Sequence, residues 1–282
     1  MYGVITELTL RLIPKPGEIW GIGFFFENRE DGMSFSDQLN AASIEVQAAK
    51  IAAIEYLDHT IIKALEMHKS NMTGLKPIPD ITPPISALVY VEIHADQQEA
   101  IEEMAESLVM IGSSFNVDPD KTWAFSGESE IDKMRKFLHA AAETAILQIA
   151  KVRSEDPRIT KLGLDFSLEG DGLKTWVGRI EKTLQEKNLK AVYWGHIGGN
   201  RLHMDILPGS YEEFVKGKAL LETWAERFPA AVGNAITAYG IGKLKKSIFR
   251  KTASKAYIEA LLRLKKQLDK HNLWNPGNMV EV

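Results

Sequence analysis

His196 and His203 lie seven residues apart in the run Tyr193 to Asp205 (YWGHIGGNRLHMD). Gly-Gly and Gly-Asn are turn dipeptides that tolerate positive φ, so the spacing predicts a tight hairpin centred on Gly199-Asn200. That register sets His196 opposite His203 on one face, with Cβ atoms ~5 Å apart. Asp205, two residues further along the same strand, joins them. Two imidazoles and a carboxylate suit a divalent metal such as zinc, with an open position for a substrate oxygen. The alternative is a set of polar side chains on a solvated, hydrogen-bonded strand face. His59, His68, His94, His139 and His271 sit singly in helical or strand patterns and read as surface or satisfied positions.

A second stretch, Gly233 to Lys246 (GNAITAYGIGKLKK), combines glycines that permit close backbone approach with lysines that could face an anion. It is not a dinucleotide fingerprint, because Gly-Ile-Gly lacks the third glycine and the strand-to-helix setting. Asn275-Pro276-Gly277 supplies the stop residues for a final helix.

The elements that must position these residues follow from period and punctuation. Strand patterns run over Tyr2–Leu12, Glu18–Glu27, Lys50–Leu57, Ala87–Ala95, Thr122–Phe125, Leu162–Leu168, Ala191–His196 and Arg201–Leu207. Helical patterns run over Ser34–Ala49, from Asp58, from near Asp96, Ser129–Lys151, Leu173–Lys187, Tyr211–Arg227 and Thr252–Lys270. Gly74 to Pro84, with its four prolines, is a loop, and Ile13-Pro14-Lys15-Pro16-Gly17 marks a boundary. One joint between strands is too short for a crossover helix, which predicts an α+β fold: a mainly antiparallel sheet with helices packed on one face, built from ferredoxin-like split β-α-β units.

Composition narrows the chemistry. The chain has 282 residues, 45% hydrophobic and 26% charged, with 34 basic and 38 acidic side chains and a net charge of −4. That balance is globular and gives no electrostatic reason to expect nucleic acid. The absence of cysteine excludes disulfides, thiolate nucleophiles and iron–sulfur ligation, so any metal must use histidine and carboxylate. No run reaches the ~18 to 20 apolar residues of a membrane span, and the start does not read as a signal sequence, so a cytoplasmic location is expected.

Taken in order, the segments YGVITELTLRLIPKP, IEYLD (Ile54 to Asp58), LVYVE (Leu88 to Glu92), LDFSL (Leu164 to Leu168), GHIGGNRLHMDI, ITAYGIGKLK and LWNPGNM resemble the C-terminal half of FAD-linked oxidases. The group is that of glycolate oxidase, D-lactate dehydrogenase and D-2-hydroxyglutarate dehydrogenase, in the vanillyl-alcohol oxidase superfamily. The resemblance implies that residues 1–16 are the end of an FAD-binding domain and residues 17–282 the cap domain that lies over the flavin. It further implies a partner FAD-binding domain or subunit, a small hydroxy acid substrate, and an electron acceptor that is a quinone, an iron–sulfur subunit or oxygen. In such enzymes the substrate loses a hydroxyl proton and passes a hydride to the flavin.

By position, the resemblance makes His196 and His203 metal ligands, sets Asn275 on the flavin side and gives Lys245 as a basic cofactor contact. Departures accompany the match. Ala238-Tyr239 stands where relatives carry Glu-His, Asp205 where they carry asparagine, Leu138 where an arginine is expected and Gly163 where a lysine is expected. One reading reconciles these changes: Asp205 replaces the lost glutamate as a ligand or meets substrate, Arg201 restores a positive charge for substrate, and Tyr239 and His203 carry the acid–base work. The competing reading is a catalytically degenerate subunit that keeps the cap fold for a structural or binding role, and a third is a piece of a longer flavoenzyme.

Overall fold

The computed structural model describes residues 4–41, 48–72, 75–76, 78–81, 84–168, 172–227, 233–234 and 238–280. Its strands are β1 (Glu18–Phe26), β2 (Ala49–Asp58), β3 (Ala87–Ala95), β4 (Trp123–Ser126), β5 (Leu162–Leu168), β6 (Ala191–Gly195), β7 (Arg201–Ile206) and β8 (Gly233–Asn234). The helices are α1 (Arg29–Ala41), α2 (His59–His68), α3 (Gln98–Ser113), α4 (Glu128–Glu155), α5 (Gly172–Glu186), α6 (Tyr211–Arg227), α7 (Lys246–Thr252) and α8 (Lys255–Leu268). The strands form one sheet in the order β4-β1-β3-β2-β6-β7-β5-β8, with antiparallel neighbours throughout. This is the expected α+β class.

Strand alternation divides the chemistry between the two faces of the sheet. Val89, Val91 and Ile93 of β3, Leu164 and Phe166 of β5 and Leu202, Met204 and Ile206 of β7 meet α1, α3, α5 and α6 in the larger core. Leu88 and Tyr90 of β3 and Val192 and Trp194 of β6 face the other way, into a second core with Ile61, Ile62 and Leu65 of α2 and Met134, Phe137 and Leu138 of α4. Most helices thus share one face, and the opposite face carries α2 and α4 in addition. Asp58 anchors α2, its buried carboxylate accepting from the Ile61 amide at 2.9 Å.

Several boundaries differ from the pattern. The first helix starts at Arg29 rather than Ser34, and residues 42–47 of its expected span lie outside the described residues. The last helix, α8, starts at Lys255 rather than Thr252 because Ser254 caps it by accepting from the Tyr257 amide at 3.2 Å, and the short helix α7 before it was not expected. The expected strand over Tyr2–Leu12 pairs with no neighbour among the described residues. From residue 4 it carries no regular structure, and Ile5 and Leu12 are 84% and 86% exposed. Alternation describes a strand's two faces, whereas its stability needs a ladder partner.

Candidate active-site cleft

α2 and α4 cover β1, β3, β2 and β6 and leave the adjoining strip of β7 and β5 without a helix. There, the positions facing away from the larger core are polar: Arg201, His203 and Asp205 on β7, and Asp165 and Ser167 on β5. The ladder pairs Asp165 with His203 and Gly163 with Asp205. A cleft of about 430 Å³ opens beside this strip, walled by Arg135, Leu138 and His139 of α4, by Glu55 and Glu92, and by Trp194, His196, His203 and Tyr239.

Of these lining residues, His203 ends a relay of three charged or polar groups. His203 Nδ1 lies 2.8 Å from Asp165 Oδ1, and Asp165 Oδ2 accepts from the Lys245 ammonium. Lys245 also donates to the Ala238 carbonyl at 3.3 Å. Burial pushes the Asp165 carboxyl upward, but its bonds from His203 and Lys245 outweigh burial and hold it below the usual carboxylate range. An ionised carboxylate has no proton to give, so Nδ1 is the donor, and it is Nε2 that is left for the cleft. The imidazole sits between two aromatic rings, Trp194 at 5.5 Å and Tyr239 at 4.9 Å between centroids. Tyr239 is 64% exposed and holds φ at +56°, an uncommon conformation for a bulky side chain.

Beside the relay lies a second pair. Asp205 is 2% exposed, and Lys161 Nζ reaches its Oδ2 at 3.0 Å while standing 5.3 Å from the Tyr239 ring centroid. Burial pushes the Asp205 carboxyl up to about 6 against the pull of Lys161. Gly163 makes the room: a Cβ there would approach Asp205 Oδ1 well inside 3.0 Å, closer than real Cβ contacts come. The lysine absent at position 163 is therefore answered by Lys161, one alternation earlier on the same side of the strand. Likewise Arg135, one helical turn before Leu138, supplies a guanidinium to the cleft. It donates to Glu92 from Nη2 at 2.6 Å and from Nε at 3.1 Å. Burial raises Glu92, but Arg135 and His94, whose Nε2 is 2.9 Å away, lower it on balance.

The predicted hairpin register is corrected. The turn is not the two residues Gly199-Asn200: Ile197–Gly199 form a 3-10 turn, Asn200 is left-handed at φ +52°, and the ladder pairs Trp194, not His196, with His203. His196 falls beyond the strand end. Its Nδ1 pairs with Glu55, which raises the imidazole above its usual value more than burial lowers it. With Asp205 paired with Lys161, and His196 beyond the strand end against Glu55, the three side chains do not converge as the two-residue turn predicted. Among the described residues no three histidine or carboxylate side chains converge to hold a metal. The described residues offer no ligand set that fits zinc or another divalent ion.

The other predicted positions divide. His203, Lys245, Asp205 and Tyr239 come together, with Lys245 holding Asp165. Arg201 is exposed at the start of β7, where its charge opposes protonation of His196 and its amide donates to the His196 carbonyl at 3.1 Å. Asn275 is apart from the cleft, in the C-terminal turn at φ +47°, where its carbonyl accepts from the Asn278 amide at 3.3 Å. That turn is tied to the glycine loop by Met279 N–H to Gly242 O at 3.1 Å and by Lys246 to Gly277 O at 3.2 Å. Ile236 and Thr237 of the glycine segment lie outside the described residues. Sequence reading missed Asp165, Lys161, Glu55, Glu92 and Arg135. For the first two the signal was available, since pairing Leu162–Leu168 with Arg201–Leu207 places their odd positions on one face.

Residues 30–279 match the family model of FAD linked oxidases, C-terminal domain. The chain is 24% identical over 282 residues to a probable mitochondrial D-lactate dehydrogenase of Danio rerio, covering 99% of this chain and 52% of that protein. It is 25% identical over 293 residues to glycolate oxidase subunit GlcD of Bacillus subtilis, covering 98% and 54%. It thus spans about half the length of the curated relatives it matches. Among solved structures, a 4-ethylphenol oxidase from Gulosibacter chungangensis in complex with isoeugenol aligns with a TM-score of 0.56 at 16% identity, over 96% of this chain and 55% of that one. The last likeness shows a shared fold. No helix among the described residues is long and apolar enough to cross a membrane.

Proposed function

The chain belongs to the family of FAD linked oxidases, C-terminal domain, and from that membership we propose that residues 17–282 are the cap, or substrate, half of an FAD-dependent oxidoreductase. In this reading it oxidises a 2-hydroxy acid or related hydroxylated substrate together with a separate FAD-binding half, which passes electrons on to a further acceptor. FAD, when bound by that half, supplies the hydride acceptor. The chain itself offers a surface for a flavin to meet: Cβ atoms built at Gly240 and Gly242 would touch nothing within 4 Å, so the loop beside Tyr239 is open to a partner. Among the described residues no glycine-rich turn opens a helix after a parallel strand, the usual pyrophosphate cradle.

The observation that carries the reading is the Lys245–Asp165–His203 relay, whose His203 lines the cleft. Asp165 fixes the His203 tautomer, Nε2 takes the substrate hydroxyl proton, and the imidazolium that forms is stabilised by the adjacent carboxylate. Lys245 keeps Asp165 ionised. Tyr239 covers the imidazole and restricts water, and exposed Arg201 offers a charge to the substrate carboxylate. No step passes through a metal.

The test is to combine the chain with its FAD-binding half and follow bleaching of the flavin by a panel of 2-hydroxy acids and hydroxylated aromatics without oxygen. His203→Gln is expected to slow reduction by about a hundredfold or more, and a rate within threefold of the parent would overturn the assignment. A second reading, a catalytically degenerate subunit, draws on Ala238 and on the Arg135–Glu92 and Lys161–Asp205 pairs, which already engage cations a substrate carboxylate needs. Flavin left unbleached by the whole panel supports that reading instead.

A further inference from the structure

Behind the relay, between the start of β5, helix α6 and the loop leading into α7, is a separate pocket of about 180 Å³. Its ionisable lining is strongly one-sided: Lys161, Lys218, Lys243 and Lys245 against the single carboxylate Glu222. Lys251 already engages Glu222 at 2.8 Å, and that bond, then one from Ser247, lowers the carboxyl despite burial. Lys218 and Lys243 have no ion-pair partner among the described residues. Lys161 and Lys245 stand between pocket and cleft. An ammonium has three N–H donors; Lys161 is ion-paired with Asp205, and Lys245 gives two, to Asp165 and the Ala238 carbonyl. Both keep donors to spare.

The remainder of the wall includes Phe214, Leu221 and Ile248, all buried. An apolar wall lowers the local dielectric and strengthens the field of the lysines. The volume is below the ~300 Å³ at which pockets for drug-sized ligands begin, so the occupant is small. Lysines reach the pocket from the start of β5, from α6 and from the loop, so no single planar fork is presented, which suits a tetrahedral ion more than a lone carboxylate.

We propose that this pocket binds a phosphate-class oxyanion, either the free ion or the phosphoryl group of a small ester. Nothing in this proposal depends on the chain's being catalytic. The test is calorimetric titration of the full chain with inorganic phosphate and, separately, with glycerol phosphate, against chloride at equal ionic strength. Saturable binding of phosphate alone identifies the free ion, and binding of both identifies a recognised phosphoryl group. The double variant Lys218→Ala/Lys243→Ala is expected to weaken binding about tenfold or more, and Lys218→Arg/Lys243→Arg to retain it within about threefold. Both lysines are exposed, so circular dichroism and the melting temperature should be unchanged. The site is overturned if neither phosphate compound binds better than chloride, or if the alanine pair binds as the parent does.

Discussion

Replacing Asp165 by asparagine should be among the most costly single changes in the cleft, and the cost should fall on its lysine partner. The carboxylate is 4% exposed and the Lys245 side chain 12% exposed, so the pair is shielded from water. An asparagine oxygen can still accept from His203 Nδ1, but no anion remains for the ammonium. Breaking a buried pair from one side costs about 3 to 5 kcal/mol, whereas removing both charges is close to neutral. Asp165→Asn should therefore lose about 3 kcal/mol at pH 7, and Asp165→Asn/Lys245→Met should recover most of it. Because the folded Asp165 carboxyl is held below its usual value, its stabilisation is present above pH ~4 and disappears as the pH falls through the depressed value. Parent and single variant should thus converge in acid. Urea unfolding of parent, single and double variants at neutral and acid pH reads all of this. A single variant within about 1 kcal/mol of the parent at pH 7, or a double variant no more stable than the single, would refute a buried ion pair as the element that holds His203.

Gly163→Ala should cost about 1 to 3 kcal/mol by driving a methyl group into the Asp205 carboxylate. Adding Asp205→Ala should relieve it, and a double-mutant cycle in urea with no coupling between the two sites would contradict the contact. Asp58, raised by burial to about 7, binds more protons folded than unfolded across pH ~4 to 7, so stability should decline with rising pH in that window. Asp58→Asn keeps the acceptor that caps α2 and should flatten the decline, giving a variant equal to the parent near pH 4 and more stable at pH 8. Thermal melts showing it less stable at pH 8 would count against a buried, reluctant charge.

Local periodicity made much of the sheet legible. Ala87–Ala95, Leu162–Leu168 and Tyr211–Arg227 have the bounds their hydrophobic patterns predict, because the two strands are buried along nearly their whole length and the helix buries one face. The hairpin was less legible. Gly-Gly-Asn allows several left-handed placements, and loop length, which alone sets register, is decided by how Gly195, at φ +140°, leaves β6. The relay needed still more than local pattern. Asp165 meets His203 only because β5 lies beside β7 with α5 and β6 between them in sequence, and Lys245 arrives from 80 residues beyond Asp165. Arg135 escaped notice because a helix offers a cleft two residues one turn apart, and 135 and 138 both reach it.

The vacancy at Gly163 also constrains history. A chain that acquired aspartate at 205 while a larger side chain stood at 163 would have had to accommodate a carboxylate and a Cβ in the same space. Glycine first, by contrast, costs only the ~0.5 to 1 kcal/mol of a flexible residue in a strand. The two substitutions are therefore passable in one order and obstructed in the other. Once Asp205 is seated against Lys161, any side chain at position 163 has to displace its carboxylate, so a larger residue enters there most easily after the aspartate has gone.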